Sequence, residues 1–247
     1  MSPMTAPYSY DAIGALPTEG EMTFAELPGI ECLVCGYPEV YPAVVLPSVK
    51  IPPHSGIAVR ASTGQGGACV NREAFRVIAN LLLENGNPAE KILPCSFVGP
   101  GSISVSQRPK DVVCCSSTLF YSQRIIDKLV LDQVQVAYAP VPLIHRGKPS
   151  ATYYALEPYP VPFLRSRSMV QKFYSPCQGC GQLIKNKGVT FAQTVESYVF
   201  EKSLWPQNQA YVLDKELGIT LFDESIVDSI GKDDFQGAVF EPLGRWR

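Results

Sequence analysis

The feature that most constrains this chain is a five-residue pattern, Cys-x-x-Cys-Gly, that occurs twice. The first copy spans residues 32–36 and the second spans residues 177–181 of a 247-residue chain. A tight turn over such a pattern places two thiolates on one side of the backbone, and the glycine that follows can adopt a positive φ without a Cβ clash. One copy supplies two ligands, whereas a structural zinc site needs four in tetrahedral geometry.

Both copies together supply a full set of four thiolates: Cys32, Cys35, Cys177 and Cys180. The sequence therefore predicts one metal site built from two distant halves. A set of four thiolates leaves no position open for water or substrate, so the predicted zinc is structural. Iron stays an alternative, because a rubredoxin-like site uses the same ligands at the same spacing.

Two other interpretations of the pairs remain open. The pairs could be unrelated and metal-free, or one of them could be a thioredoxin-like redox motif. A redox motif normally opens a helix, whereas the stretches that follow the two pairs, GYPEVYP and GQLIKNKG, have no helical pattern. The joint metal site is therefore the favoured prediction.

The other four cysteines are predicted to be small buried hydrophobic residues: Cys69, Cys95, Cys114 and Cys115. Because Cys114 and Cys115 are adjacent, they should face opposite sides of a strand. A disulfide framework is typical of small secreted chains that are dense in cysteine, and eight cysteines in 247 residues do not fit that class.

Composition narrows the functional classes. The hydrophobic fraction is 46% and the charged fraction 18%, which suffices for a substantial core, and the net charge of −2 gives no basic face for nucleic acid or an anionic membrane. No apolar run reaches the roughly 18 residues that a membrane span needs. Residues 1–20 lack the basic and apolar regions of a secretory signal, so we expect a cytoplasmic protein.

The fold prediction is α+β, with short-stranded, mostly antiparallel sheets, about three helices and a discontinuous zinc-ribbon-like four-cysteine module. Apolar periodicity predicts helices over 71–86, 121–132 and 223–231. Their expected N-caps are Asn71, Ser122 and Asp223. Alternating residues predict strands over 134–142 and 151–161, which can pair through a turn at 145–150.

The predicted domain organisation has three parts. Residues 1–25 form a loosely ordered arm. Residues 26–54 and 171–247 form the zinc-ribbon-like module with a C-terminal α/β segment. Residues 55–170 form an inserted α+β region between the two halves of the module.

No sequence pattern indicates catalysis. The chain has two histidines, His54 and His145, and no Gly-x-Ser-x-Gly, HExxH, Walker A or Rossmann pattern. We therefore predict that the protein is not an enzyme. An enzyme that carries a structural zinc remains an alternative, and its sign would be a polar pocket with either histidine beside a carboxylate.

The two ends of the chain resemble the double-CXXCG motif proteins known mainly from myxobacteria. The opening stretch FAELPGIECLVCGYPEVYPAVVLPSV has Leu-Pro-Gly, the first Cys-x-x-Cys, a Tyr-Pro and a short apolar strand. The second Cys-x-x-Cys-Gly lies in the last third, and the chain finishes with GITLFDESIVDSIG and GAVFEPL. The resemblance covers about a third of the chain. The longer N-terminal arm and the additional cysteines of the middle region depart from it.

Some members of that family are immunity proteins, encoded beside a toxin. The resemblance therefore implies that this chain binds and neutralises a cognate protein toxin, with zinc holding the scaffold and the middle region giving specificity. Candidate aromatic anchors are Tyr153, Tyr154, Tyr159 and Phe163. Their alternative interpretation is as alternate strand residues, half of them in the core. A zinc-ribbon adaptor in another assembly is the competing function.

Overall fold

The computed structural model describes residues 8–10, 18–36, 38–39, 44–53, 59–61, 69–115, 118–161, 171–179, 183–190, 199–214, 219–231, 235, 240–243 and 245–246. The described part is α+β and consists mostly of sheet. The α-helices are α1 (Arg72–Glu84), α2 (Gln123–Leu131) and α3 (Glu224–Gly231), and residues 171–173 form a further short helical segment. Two 3₁₀ turns span Ala89–Lys91 and Lys202–Leu204.

The strands, in chain order, are β1 (Tyr8–Tyr10), β2 (Thr18–Glu19), β3 (Glu21–Glu26), β4 (Gly29–Glu31), β5 (Pro38–Glu39), β6 (Val45–Leu46), β7 (Val59–Ala61), β8 (Cys69–Val70), β9 (Phe97–Val105), β10 (Val112–Cys115), β11 (Thr118–Ser122), β12 (Ala137–His145), β13 (Lys148–Glu157), β14 (Tyr159–Val161), β15 (Tyr174–Pro176), β16 (Leu183–Lys185), β17 (Val199–Phe200), β18 (Tyr211–Asp214), β19 (Ile219–Phe222), β20 (Phe240–Pro242) and β21 (Arg245–Trp246).

The largest sheet nearly closes on itself. Its strand order is β2-β10-β11-β13-β12-β9-β3-β7. Strands β2 and β3 follow one another with only Gly20 between them, yet β2 pairs with β10 and β3 pairs with β9. Gly20 suits this junction because a Cβ there would lie 2.7 Å from the Ser104 carbonyl oxygen and 3.0 Å from Cys115 Sγ. One continuous segment therefore joins the first strand of the run, β2, to the last but one, β3.

The interior of this near-closed sheet is an apolar core. The rings of Phe24 and Phe120, both fully buried, stack with centroids 6.3 Å apart. Alternate residues of β12 point inward, so that Ala139, Val141 and Leu143 are buried. The same cluster contains Met22, Val45, Phe97, Ile103, Val105, Val113, Cys115, Tyr153 and Ala155. Strand alternation thus directs one side chain in two toward a shared interior.

Helices cover the outside of the sheets. Phe75 and Leu82 of α1 pack with Leu27 and Leu46 near the first cysteine pair. Ile125, Ile126 and Leu129 of α2 pack with Ile226 and Ile230 of α3, in a cluster that also includes Phe222. A second sheet of five strands has the order β14-β18-β19-β1-β20, and Val212 and Leu221 are buried in its own cluster.

The predicted helix caps are confirmed at two of three positions. Asn71 Oδ1 accepts a hydrogen bond from the Ala74 amide at 2.8 Å, and Asp223 Oδ1 accepts one from the Ser225 amide at 3.0 Å. Ser122 holds the N-cap position of α2, but its hydroxyl donates to Asp111 Oδ1 at 3.1 Å and makes no capping hydrogen bond. The Ser122 side chain therefore bonds to the Asp111 carboxylate instead of to a backbone amide at the start of α2.

The hairpin predicted between the two middle strands is confirmed. Strands β12 and β13 pair antiparallel around Arg146 and Gly147, whose φ values are 50° and 76°. Positive φ at both central residues is the geometry that matches the right-handed twist of paired strands. Because Gly147 supports so tight a turn, β13 begins at Lys148 rather than at residue 151.

The expectation of short-stranded, mostly antiparallel sheets is met only in part, because most described pairings are antiparallel but the largest sheet has long strands and parallel neighbours. Strands β9 and β12 have nine residues and β13 has ten, and the large sheet is mixed. Strand β12 pairs parallel with β9, and β6 also pairs parallel with β9. Between β9 and β12 the chain forms β10, β11 and α2, which return it to the same direction. Residue alternation carries no information about strand direction, so the sequence could not distinguish these arrangements.

Strand pairing joins all the predicted segments of the chain. Strand β6 of segment 26–54 pairs with β9 of segment 55–170, and β14 pairs with β18 of the C-terminal segment. The division into domains itself stays a prediction. Among the described residues, no helix has the length and apolar character needed to cross a membrane.

Candidate metal centre

The first Cys-x-x-Cys-Gly forms the turn of a β-hairpin. Strands β4 and β5 pair antiparallel, with Glu31 opposite Pro38, which leaves a six-residue loop over 32–37. Cys32 is the first residue of this loop and Cys35 is the fourth. The Gly36 amide donates to the Cys32 carbonyl at 2.8 Å, and Gly36 has a φ of 64°. The glycine therefore adopts the left-handed conformation that its place in the pattern predicts.

The second copy also begins directly after a strand of an antiparallel pair, and the same number of residues separates the two strands. Strands β15 and β16 pair antiparallel, with Pro176 opposite Leu183, and the loop spans the six residues 177–182. Cys177 is its first residue, and Cys180 lies outside the described residues. The Gly179 amide donates to Cys177 Sγ at 3.3 Å, the kind of contact that offsets negative charge on a metal-binding sulfur.

The side chain of Asn186 braces the base of this second hairpin. Its Oδ1 accepts a hydrogen bond from Ser175 Oγ at 2.7 Å, and its Nδ2 donates to the Lys172 carbonyl at 3.3 Å. The Asn186 amide also donates to the Phe173 carbonyl at 2.8 Å. These contacts tie the two ends of the hairpin together before the cysteine turn begins.

The two turns bring three thiols into one cluster. The Sγ atoms of Cys32, Cys35 and Cys177 lie within 4.8 Å of one another, and the distance from Cys32 Sγ to Cys177 Sγ is 3.7 Å. A tetrahedral ion with Zn–S bonds of about 2.3 Å separates its sulfurs by about 3.8 Å. A disulfide would require about 2.05 Å. The distance between Cys32 and Cys177 therefore suits two ligands of one ion, whereas the 4.8 Å limit for the group as a whole fits zinc only loosely.

A glycine allows the two hairpins to approach so closely. A Cβ at Gly179 would lie 2.4 Å from Val34 Cγ2 and 3.3 Å from Cys32 Sγ. Gly179 and Val34 are each the third residue of their Cys-x-x-Cys, so the turns meet through equivalent positions. Any other residue at position 179 would push Val34, and with it the first turn, away from Cys177.

The cluster lies at the boundary between the protein and solvent. Cys177 is 8% exposed, whereas Cys32 and Cys35 are half-buried. The tip of the first turn projects outward, and Leu33 is 91% exposed. On the opposite edge, β4 pairs parallel with β8, and α1 begins two residues after β8 ends. The N-terminal end of α1 thus starts beside the strand that leads into Cys32.

The predicted burial of the other cysteines is confirmed for Cys95 and Cys115, and Cys114 is half-buried. The opposite orientation of Cys114 and Cys115 agrees with their places in β10. Burial raises the pKa of the Cys115 thiol to about 12, so it stays protonated and unreactive. The prediction is wrong for Cys69, which is exposed because the two-residue strand β8 lies at the edge of its small sheet.

The predicted aromatic anchors differ in how exposed their side chains are. Tyr153 is 5% exposed and its hydroxyl donates to the Lys110 carbonyl at 2.5 Å, so the prediction that it anchors a partner is wrong. Burial raises its pKa to about 12. Tyr159 is 46% exposed, and the half-buried Tyr154 packs edge-to-face on Tyr138 with centroids 5.8 Å apart. Phe163 lies outside the described residues.

Neither histidine shows a catalytic arrangement in the described residues. His54 lies outside them, and His145 is the last residue of β12. His145 Nε2 is buried and has no hydrogen-bond partner among the described residues.

Sequence reasoning missed one buried charged cluster. The carboxylate of Glu157 is 4% exposed and accepts hydrogen bonds from the Ser48 amide at 2.8 Å, from the Ser48 hydroxyl at 2.7 Å and from Lys91 Nζ at 2.5 Å. These hydrogen bonds satisfy the buried carboxylate of Glu157. They also join the end of β13 to the segment after β6. No local sequence signal predicts this contact, because Ser48 is 109 residues away.

A scan against protein-family models finds no match to this chain, and a search of curated proteins finds none either. The geometry of the cysteine cluster therefore stands as the principal observation about function. Three described cysteines, contributed by two hairpins, form a group that could hold a metal ion.

Proposed function

We propose that the two hairpins hold one structural zinc ion through Cys32, Cys35, Cys177 and Cys180. The observation that carries this proposal is the pair of six-residue turns whose first cysteines place their sulfurs 3.7 Å apart. In the sequence Cys180 follows Cys177 at the same spacing as Cys35 follows Cys32, and this proposal therefore takes Cys180 as the fourth ligand.

A site of four thiolates is structural in this proposal. It has no open coordination position, and the ion cross-links two segments whose ligands, Cys32 and Cys177, are 145 residues apart. Gly179 contributes an amide to the sulfur of Cys177, and Asn186 holds the second hairpin in place. Free energy of metal binding becomes free energy of folding for these short strands. The same ligands accept iron, so the identity of the ion is part of the test.

We propose further that the protein acts by binding, as a cytoplasmic immunity protein that neutralises a cognate protein toxin, and that it is not an enzyme. The support is the resemblance of its two ends to the double-CXXCG motif proteins. The exposed aromatic residues Tyr159 and Tyr138, with Tyr154 beneath Tyr138, are the anchors that this proposal assigns. Tyr138 replaces Tyr153 because Tyr153 is buried.

Elemental analysis with thiol counting tests the metal proposal. We expect about one zinc per chain, and four thiols that react with a thiol reagent only after chelation or unfolding. The Cys35→Ser and Cys180→Ser variants should each lose zinc, whereas Cys69→Ser, which removes an exposed cysteine outside the cluster, should retain it. Full reactivity of the cluster thiols in a folded, metal-free protein would refute the site, and one iron per chain would replace zinc by iron.

Co-expression with the product of a neighbouring toxin gene tests the binding proposal. We expect protection of the cell and a complex that co-purifies. Substitution of Tyr159 or Tyr138 by alanine should weaken the complex by at least about tenfold if either is a principal anchor. The buried Tyr153→Phe change is the control and should leave affinity unchanged. A zinc-loaded protein that neither binds nor protects would contradict the immunity function while leaving the metal site intact.

A further inference from the structure

We propose that Cys32 and Cys177 form an oxidation-sensitive pair, which closes as a disulfide between the two hairpins when the site is free of metal. The inference rests on the cysteine cluster of the proposed metal site, although it does not depend on which ion the cluster holds. It assigns the cluster a second, redox-dependent state in which a covalent bond replaces the ion as the link between the hairpins.

The distance between the two sulfurs supports this pairing. Cys32 Sγ and Cys177 Sγ lie 3.7 Å apart, and a disulfide requires about 2.05 Å. Changes in the side-chain torsions of two cysteines at the start of hairpin turns can supply the difference. The backbones are already close, because the missing Cβ of Gly179 lets Val34 lie against the second turn. The hairpins therefore need no separation and re-docking to form the bond.

Exposure sets the order of the reaction. Cys32 is half-buried beside the fully projecting Leu33, whereas Cys177 is 8% exposed. A small peroxide therefore reaches Cys32 before it reaches Cys177. The Cys32 thiolate attacks the peroxide O–O bond, which breaks, and a sulfenic acid and one hydroxide result. The Cys177 thiolate then attacks the Cys32 sulfur, the S–S bond forms and the S–O bond breaks. Two protons convert both hydroxides to water, and the two sulfurs have supplied the two electrons that reduce the peroxide.

The alternative product is a disulfide within each Cys-x-x-Cys. Such a bond spans only the first and fourth residues of a hairpin turn and leaves the two hairpins unlinked. The bond between Cys32 and Cys177 instead preserves the contact between Val34 and Gly179 that the fold already contains. Because it joins residues 145 positions apart, it also restricts the unfolded chain far more than a bond across one turn does.

The test uses the full-length protein after metal removal with a chelator, treated with about one equivalent of hydrogen peroxide. Peptide mapping under non-reducing conditions should show the Cys32 peptide linked to the Cys177 peptide as the main product. The same treatment of the metal-loaded protein should give at least about tenfold less of this product. A dithiol reductant should reverse the bond and restore metal uptake.

Single-cysteine variants make the test decisive. Cys32→Ser and Cys177→Ser should each abolish the cross-link, whereas Cys69→Ser and Cys114→Ser should leave it unchanged. Where a cluster variant does not fold, mapping of the unmodified chain still distinguishes the products. Disulfides confined to Cys32–Cys35 and Cys177–Cys180 would overturn the inference even if elemental analysis finds zinc. Conversely, the Cys32–Cys177 link in a chain that never binds metal would support the inference and contradict the proposed metal site.

Discussion

The near-closed sheet and the pair of cysteine hairpins are stabilised in different ways. In the sheet, strands of up to ten residues surround side chains that are fully buried, such as Phe24, Phe120 and Val141. In the hairpins, strands of two or three residues lead into turns whose apolar tip residues Leu33 and Val34 are exposed. The hairpins meet through sulfur atoms and one close contact between Val34 and Gly179.

The contrast indicates which forces each region depends on. Burial of apolar side chains stabilises the sheet by roughly 25 cal/mol for every Å² removed from water. The hairpins bury too little to be stable in isolation, since two-stranded hairpins are marginal in water. In the proposed function, a metal ion that binds only the folded arrangement would supply the missing free energy. The following four predictions test this division.

Metal removal should produce the largest effect, and it should be local. Chelation is expected to lower the free energy of opening that protects backbone amides from hydrogen exchange in residues 29–36 and 174–185. The expected decrease is several kcal/mol, because structural zinc contributes about 10 kcal/mol or more to small domains. The amides of β9, β12 and β13 should keep their protection. Hydrogen exchange with mass spectrometry measures both regions at once. Equal loss of protection everywhere would show that the two regions share one source of stability.

The Phe120→Ala substitution should lower the free energy of unfolding by about 3–5 kcal/mol. Phe120 is fully buried and stacks on Phe24, so its removal leaves a cavity inside the near-closed sheet. The matched change at the cysteine turn is Leu33→Ala, which removes a side chain that is 91% exposed and should change the free energy by less than about 0.5 kcal/mol. Denaturant unfolding of both variants measures the difference, and similar values for the two would refute the contrast.

Alkaline pH should destabilise the sheet, because burial raises the pKa of Tyr153 from 10.0 to about 12 and that of Cys115 from 9.0 to about 12. Above the unfolded pKa the unfolded chain releases the proton that the folded chain retains, so stability falls between pH 9 and pH 12. For Tyr153 the loss reaches about 3 kcal/mol at the upper end.

Thermal unfolding over this pH range measures the loss. The Tyr153→Phe variant should have a shallower decline than the unmodified protein, because phenylalanine has no proton to release. The exposed Tyr159→Phe variant serves as the control and should decline as the unmodified protein does. An unchanged slope for Tyr153→Phe would exclude this tyrosine as the cause.

The smallest effects come from the same substitution at two glycines. Gly20→Ala should cost about 1–3 kcal/mol, because the new Cβ meets the Ser104 carbonyl oxygen, a backbone atom held in the sheet. Gly179→Ala should cost less than about 1 kcal/mol, because its Cβ meets Val34, which is 68% exposed on a turn that can shift outward to relieve the contact. The second variant should instead bind zinc more weakly, as competition with a coloured chelator would show. Equal losses of stability would mean that the hairpin contact is as rigid as the sheet.

Local features of the chain could be predicted from its residues. The caps at Asn71 and Asp223, the hairpin around Gly147 and the turn closed by Gly36 all follow from interactions within a few residues. The grouping of the three described cysteines could also be predicted, because a structural zinc site requires four ligands and the chain offers two matching cysteine pairs. In each case the chemistry of the residue types and their spacing was sufficient.

Long-range features could not be predicted in this way. The near closure at Gly20, the parallel pairing of β9 with β12 and the burial of Tyr153 each depend on segments far apart in the chain. Strand alternation is the same for parallel and antiparallel neighbours, and it does not say which face meets an interior. Local chemistry therefore determines the turns, the caps and the pairing of cysteines within each hairpin of this protein, whereas packing between distant strands decides the direction of the sheet, the members of its core and which aromatic residues remain exposed.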